Sequence, residues 1–197
     1  MGLGRPISWY LGIALPSTIV GILYFVAWIQ KKHISRILDT NKDTCCYPLD
    51  TSLWNEKTHT WKDKLFLKDE VRQILHIPIN MSSVVSRMFK KIEDANAMPE
   101  VKDFLMLAYD PSPWKSEIYM TVTKNIPDGK MTTLSGTFIS KVFDGPYHHV
   151  PQWIKEMNEY LTSHNQKAIK YYFHFAYCPK CMKKYGHNYC VAFAQVK

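Results

Sequence analysis

The 197-residue chain has little cysteine, little glycine and no long run of one charge. Five cysteines at this length exclude a disulfide scaffold. Eight glycines and eleven prolines exclude a fibrous or low-complexity chain. No glycine-rich phosphate loop and no Ser-His-Asp nucleophile elbow occur, which removes the commonest nucleotide-binding and serine-hydrolase signatures. The formal charge of +8 is spread thinly, and its tightest cluster is Lys180, Lys183 and Lys184. A basic excess without a dense patch is an ordinary mixed surface, so no nucleic-acid partner is expected.

With 46% hydrophobic residues the chain is globular rather than disordered. Its length suits one domain with an extra segment.

Residues 7–29, ISWYLGIALPSTIVGILYFVAWI, carry no charge. As a helix they would be about 34 Å long, enough for a hydrocarbon core of about 30 Å. Trp9, Tyr10 and Trp28 sit where interfacial aromatics belong. The run passes straight into Gln30, Lys31 and Lys32, without the small-residue site that follows a cleaved signal. Residues 1–33 are therefore expected to be a single transmembrane anchor. Lys31, Lys32 and Arg36 outweigh Arg5, which places the C-terminal domain in the cytoplasm. Residues 34–64, balanced in charge and weak in periodicity, are expected to be a linker. Within them Cys45-Cys46 are equally readable as thiols or as lipidation sites.

The remaining residues, 65–197, look duplicated. Phe104 to Leu107 runs into Ala108-Tyr109-Asp110-Pro111, and Tyr171 to Phe175 runs into Ala176-Tyr177-Cys178-Pro179. A second strand-like run follows each, at 117–123 and 189–196. A helix precedes each pair. The first has Val85, Met88, Phe89 and Ile92 on one side behind Ser82 or Ser83 as cap. The second opens at Pro151 and carries Trp153, Ile154, Met157, Tyr160 and Leu161. A strand lies ahead of each helix, weakly at 71–79 and clearly at 134–143. The expected class is α+β, with tandem β-α-β-β repeats (65–128 and 129–197). They form a mainly antiparallel sheet with helices on one face and a ligand site on the other.

Four stretches make the resemblance to a known family: FLMLAYDPSPWKSEIYMTV at 104–122, LSGTFISKVFDGPYHHVPQWIKEM at 134–157, YYFHFAYCPKCMKKYGHNY at 171–189 and VAFAQV at 191–196. They resemble the GyrI-like small-molecule-binding domain of the SOUL/GyrI group, in particular bacterial GyrI-like proteins labelled hydrolase. The resemblance implies a cleft for bulky, flat or cationic small molecules. In related regulators that cleft senses drugs. In some stand-alone members it hydrolyses strained cyclopropane-containing alkylating compounds, using an acid and tyrosyl groups. No helix-turn-helix accompanies the domain here, so transcriptional control is not expected. A small molecule is the expected ligand, and no cofactor is expected. Sequestration without catalysis, or a membrane-tethered adaptor role, are the competing readings.

Strand alternation puts Glu117, Tyr119 and Thr121 on one face and Ile118, Met120 and Val122 on the other. Glu117, with Tyr119 or Tyr109, is the candidate catalytic set. Burial beside Trp114 and Tyr119 would raise its pKa and suit it to carry a proton. A solvated strand glutamate is the plain alternative. Trp114, Tyr147, Trp153, Phe173 and Tyr177 are candidate ligand-binding aromatics, competing with ordinary core packing. Cys178-Pro179-Lys180-Cys181 stays open between a hairpin connector, a redox pair and part of a metal site with His187 and Cys190. No metal is expected in first place.

Overall fold

A computed structural model describes residues 46–197. The expected membrane span at 7–29, its flanking charges and Cys45 lie outside the described residues. Among the described residues no helix is long and apolar enough to cross a membrane.

The chain runs β1 (Lys57–Ile74), β2 (Ile77–Pro78), α1 (Met81–Asp94), β3 (Met106–Ser112), β4 (Lys115–Thr121), β5 (Lys130–Asp144), α2 (Val150–Ser163), β6 (Ala168–Phe175), α3 (Pro179–Tyr185) and β7 (Tyr189–Val196). Two β-α-β-β units are visible in that order, the second with α3 inserted between its last strands. All pairings are antiparallel. The strand order is β2-β1-β4-β3-β6-β7-β5, and β5 pairs back onto β1. The expected antiparallel sheet is present and closes into a barrel-like one, with α1 and α2 packed on its outer face.

Closure depends on β1. Its Phe66–Arg72 stretch pairs with β4, and its Lys57–Lys68 stretch pairs with β5. It starts at Lys57, within the stretch expected to be a linker, which is a correction. A register shift between Trp61 and Lys64 interrupts the two-residue rhythm there, and Lys62, Asp63 and Lys64 fill the break with charge. A bulged strand with charges at its bend reads as loop.

Alternation then sorts side chains into an inner and an outer set. Inside, Phe66, Leu105, Leu107, Tyr119, Phe138, Tyr172, Val191 and Phe193 form one buried cluster, and Leu49, Trp54 and Trp61 pack against it. Outside, Leu67, Val71, Ile118, Met120 and Val122 meet Val84, Met88 and Ile92 of α1, which recur every four residues. Asn80, not Ser82 or Ser83, is the N-cap residue of α1, and its Oδ1 accepts from the Arg72 amide at 2.8 Å. On the other half Trp153, Met157 and Leu161 of α2 cover Ile139, Phe143, Phe173, Ala192 and Ala194.

The two halves meet along two unequal seams. β1 and β5 share a long register, whereas β3 and β6 share the single pair Ala108–Phe173. At this short seam the buried His174 ring fills in for the missing ladder. Its Nδ1 lies 3.2 Å from both the amide nitrogen and the carbonyl oxygen of Met106. Burial lowers the His174 pKa, with a smaller opposing pull from the Met106 backbone, so the ring is neutral at neutral pH.

Candidate functional site

Strand β4 turns Glu117 and Tyr119 inward, and register fixes their neighbours. Glu117 lies opposite Tyr109 of β3 and Glu70 of β1, and Tyr119 lies opposite Leu107 and Lys68. The Tyr119 hydroxyl donates to Glu117 Oε2 at 2.5 Å. Lys68 Nζ reaches Glu117 Oε1 at 2.9 Å, and Lys115 Nζ lies 3.9 Å from the same oxygen. The Glu117 side chain is 14% exposed, so this carboxylate sits at the rim of the barrel interior rather than on open surface.

Three tyrosines gather at this rim. The Tyr109 and Tyr119 rings lie 5.6 and 5.8 Å from that of Tyr172. Lys170 Nζ lies 4.8 Å from the Tyr109 ring centre, and Lys68 Nζ lies 5.4 Å from that of Tyr119, both cation–π distances. Phe66 and Phe138 floor the group.

The electrostatics correct one expectation. Burial pushes the Glu117 carboxyl up, but hydrogen bonds from Tyr119 and Lys68 and the charges of Lys68 and Lys115 outweigh it. Its pKa ends below the ordinary value, so Glu117 is a carboxylate at neutral pH. The expected rise considered burial alone, because Lys68 lies in the part of β1 that precedes the strand expected at 71–79. Burial and the Glu117 charge push Tyr119 far up, and burial first, then Tyr109 and Glu117, push Tyr172 up to about 12. Tyr119 is therefore a hydrogen-bond donor that holds the carboxylate, not a labile acid.

The sequence matches a family model described as Bacterial hydrolase over residues 37–196. The chain belongs to that family. No curated protein matches it. Similar solved structures are the EcmrR C-terminal domain (TM-score 0.58, 8% identity, 74% of this chain and 98% of that one) and an uncharacterized conserved protein from Listeria innocua (0.55, 8%, 73% and 92%). A hydrolase from Listeria innocua is another (0.52, 8%, 73% and 92%). At such identities the likeness is one of fold alone.

In this member of the Bacterial hydrolase family, Glu117, Tyr119 and Tyr109 come together, and the five candidate aromatics do not join them. Trp114 occupies the β3–β4 turn and is 61% exposed. Tyr147 lies in the short turn before α2, its ring 5.6 Å from Phe175. Burial and the Asp110 carboxylate raise its pKa, which puts it beside Asp110 on the outer face of β3. Trp153 stacks on Phe143 at 5.4 Å, and Phe173 packs under α2 with it. Tyr177 is buried, and its hydroxyl accepts from the Leu49 amide at 2.9 Å. The structure thus places Trp114 on an exposed turn, Tyr147 on the outer face, and Trp153, Phe173 and Tyr177 in buried packing, all five apart from Glu117. In β6, past the register shift between Ala168 and Lys170, Tyr172 points inward and Phe173 outward, so Tyr172 takes the place expected for Phe173. Parity alone could have found it. Lys68 and Lys170 had no signal short of the register.

The metal candidates also regroup. His187 Nδ1 is 2.7 Å from Asp144 Oδ2 and its ring stacks on Tyr189, so it turns toward β5. Cys190 is fully buried in the outer core, where burial raises its thiol pKa. Cys178 and Cys181 instead gather with Cys46, their three sulfur atoms within 4.8 Å of one another.

Proposed function

We propose that the rim of the barrel interior binds a flat or bulky organic molecule between Tyr109, Tyr119 and Tyr172, and that Glu117 activates water against a strained electrophilic ring in it. The observation that carries this reading is an ionised, largely buried carboxylate held by Tyr119 and Lys68 inside a ring of tyrosines. Aromatic faces suit planar ligands, and a fixed carboxylate suits a general base.

The chemistry balances as follows. Glu117 takes a proton from water as the water oxygen bonds to a ring carbon. The strained carbon–carbon bond breaks, and its electron pair moves onto a conjugated carbonyl, which takes a proton from the Tyr109 hydroxyl. The proton on Glu117 then returns to the tyrosinate, which the Lys170 ammonium beside the Tyr109 ring stabilises meanwhile. The net change is addition of water. The family description and the resemblance to GyrI-like hydrolases support the class of reaction.

One observation favours a second reading. Lys68 already neutralises Glu117 at 2.9 Å, an arrangement suited to holding a ligand without turning it over. Glu117→Gln separates the two. On the catalytic reading, turnover of a cyclopropane-containing alkylating probe falls about 100-fold or more while probe affinity stays within a few-fold. Turnover unchanged by Glu117→Gln removes the catalytic role. Absence of turnover in the unaltered chain, with micromolar probe binding lost in Tyr109→Ala, leaves the sequestering role.

The uncharged run at 7–29 supports a location as well: a single span with the barrel on the cytoplasmic side. Carbonate-resistant membrane association of the full chain, lost on deletion of residues 1–33, is the expected result. Carbonate extraction of the full chain overturns it.

A further inference from the structure

The tyrosine rim leaves the cysteine cluster unused, and that cluster has the makings of a site. Cys178 ends an extended stretch (φ −75°, ψ 164°), Pro179 opens α3, and Cys181 follows in its first turn. Positions three apart on a helical turn share a face, so the Cys-Pro-Lys-Cys spacing brings both sulfurs to one side. From the other end of the domain, 132 residues earlier, Cys46 joins them, and its Sγ accepts from the Cys178 amide at 3.3 Å. The Tyr185 hydroxyl donates to the Cys46 carbonyl at 2.9 Å, and the Tyr177 hydroxyl accepts from the Leu49 amide at 2.9 Å. The segment carrying Cys46 is thus tied to Tyr177 and to Tyr185 of α3. All three sulfur atoms lie within 4.8 Å of one another.

We propose that Cys46, Cys178 and Cys181 form a thiolate site for zinc. Zinc takes sulfur ligands at about 2.3 Å in a tetrahedron, which sets sulfur–sulfur distances of about 3.8 Å, and the three sulfurs here already lie within 4.8 Å of one another. Binding sends the three thiol protons to solvent, so affinity rises with pH. The zinc–trithiolate unit carries one negative charge, and Lys180, Lys183 and Lys184 crowd the sequence of α3 around it. The amide donated to Cys46 is the kind of supporting hydrogen bond that orients a ligating sulfur. Sequence spacing pointed to His187 as the partner of the Cys178–Cys181 pair, but His187 is engaged with Asp144. The residue that completes the set came from the stretch thought to be linker. Zinc here would lock the Cys46–Trp54 segment, whose Trp54 ring packs edge-on against Phe193 at 5.6 Å, onto the β6–β7 connection.

The test uses the full chain purified under reductant. Stoichiometric zinc is expected. After chelation, added cobalt(II) should give thiolate-to-cobalt charge-transfer absorption and the visible bands of tetrahedral cobalt. Zinc should also slow alkylation of Cys46, Cys178 and Cys181 together, read by mass spectrometry, and chelation should lower the thermal midpoint. Cys46→Ser should weaken zinc by more than the about 10–100-fold that loss of a supporting residue costs. His187→Ala should leave zinc content unchanged. Absence of both zinc and the cobalt–thiolate bands overturns the site. So does alkylation indifferent to zinc, a measurement that needs no variant to fold. Loss of zinc in His187→Ala equal to that in Cys46→Ser overturns this choice of ligands.

Discussion

Strand β4 presents Glu117 and Tyr119 to the barrel interior, where β7, the matching last strand of the second unit, presents Val191 and Phe193. The order of elements is shared, but the chemistry is one-sided. A duplicated scaffold needs both copies to close, whereas a general base needs only one copy to carry an acid. The second unit supplies wall and part of the floor, mostly apolar and mostly buried, and the first supplies Phe66 of the floor and the ionised group. The asymmetry also explains the charge at the rim. Lys68 from β1 and Lys170 from β6 approach from both units, yet only Lys68 meets a carboxylate there.

The largest expected effect tests the apolar half. Phe193→Ala removes a fully buried ring that Trp54, His59 and Trp61 all touch, and should cost about 3–5 kcal/mol in urea unfolding. A cost below about 1 kcal/mol would mean the second unit does not bear the load assigned to it. Glu117→Gln should do the opposite. It keeps shape and a hydrogen-bond partner for Tyr119, so stability should shift by less than about 1 kcal/mol while turnover falls about 100-fold. Because the Glu117 pKa lies below its ordinary 4.5, kcat/KM should show no loss from this group between about pH 5 and pH 7. A limb near neutrality that Glu117→Gln abolishes would break the assignment of Glu117 as an ionised base.

The seams give the next contrast. His174 is more basic unfolded, near 6.5, than folded. Between those two values the unfolded chain binds more protons, so stability rises with pH there. Full stability is present above about pH 6.5, and it is lost as pH falls toward the folded value. His59, lowered by burial and by Lys64, adds in the same direction. The urea midpoint should therefore drop from about pH 7.5 to pH 5.5. His174→Gln should flatten part of that slope, and an unchanged slope would remove His174 from the seam.

The smallest effect concerns a feature that only the first unit has. The β1–β2 hairpin turns through Leu75 (φ 51°) and His76 (φ 67°), a left-handed pair that favours Asn and Gly. Leu75→Asn should stabilise the domain by about 1 kcal/mol, seen as a raised thermal midpoint.

Much of this organisation is legible in the sequence. The pairing of Phe104–Pro111 with Tyr171–Pro179 gives the duplication, and alternation on β4 sends Glu117 and Tyr119 to one side and Ile118 and Met120 to the other. Strand parity fails where pairing is irregular. The strand expected at 71–79 is only the end of β1, the turn at Leu75–His76 and the short β2; the bulge at Trp61–Lys64 hid the rest of β1, and with it went Lys68, which sets the protonation of Glu117. Aromatic richness misleads for a different reason. Trp153, Phe173 and Tyr177 are the large rings that fill helix–sheet and loop–sheet gaps, and composition does not distinguish filler from wall. Cys46 was out of reach altogether, since only tertiary closure carries it across 132 residues to Cys178.

The strand order has a consequence for how the domain comes off the ribosome. Each unit inserts its last strand between two earlier ones: β4 lies between β1 and β3, and β7 between β5 and β6. The first unit can assemble its four strands once Thr121 has emerged. In the second, β5 can already lie along β1, but β6 has only its single pair with β3 until β7 arrives. During synthesis the half that carries Glu117 therefore exists first as an open curved sheet with its apolar face uncovered. The final strand is the keystone, and a chain stalled or trimmed before Tyr189 loses two strand interfaces at once.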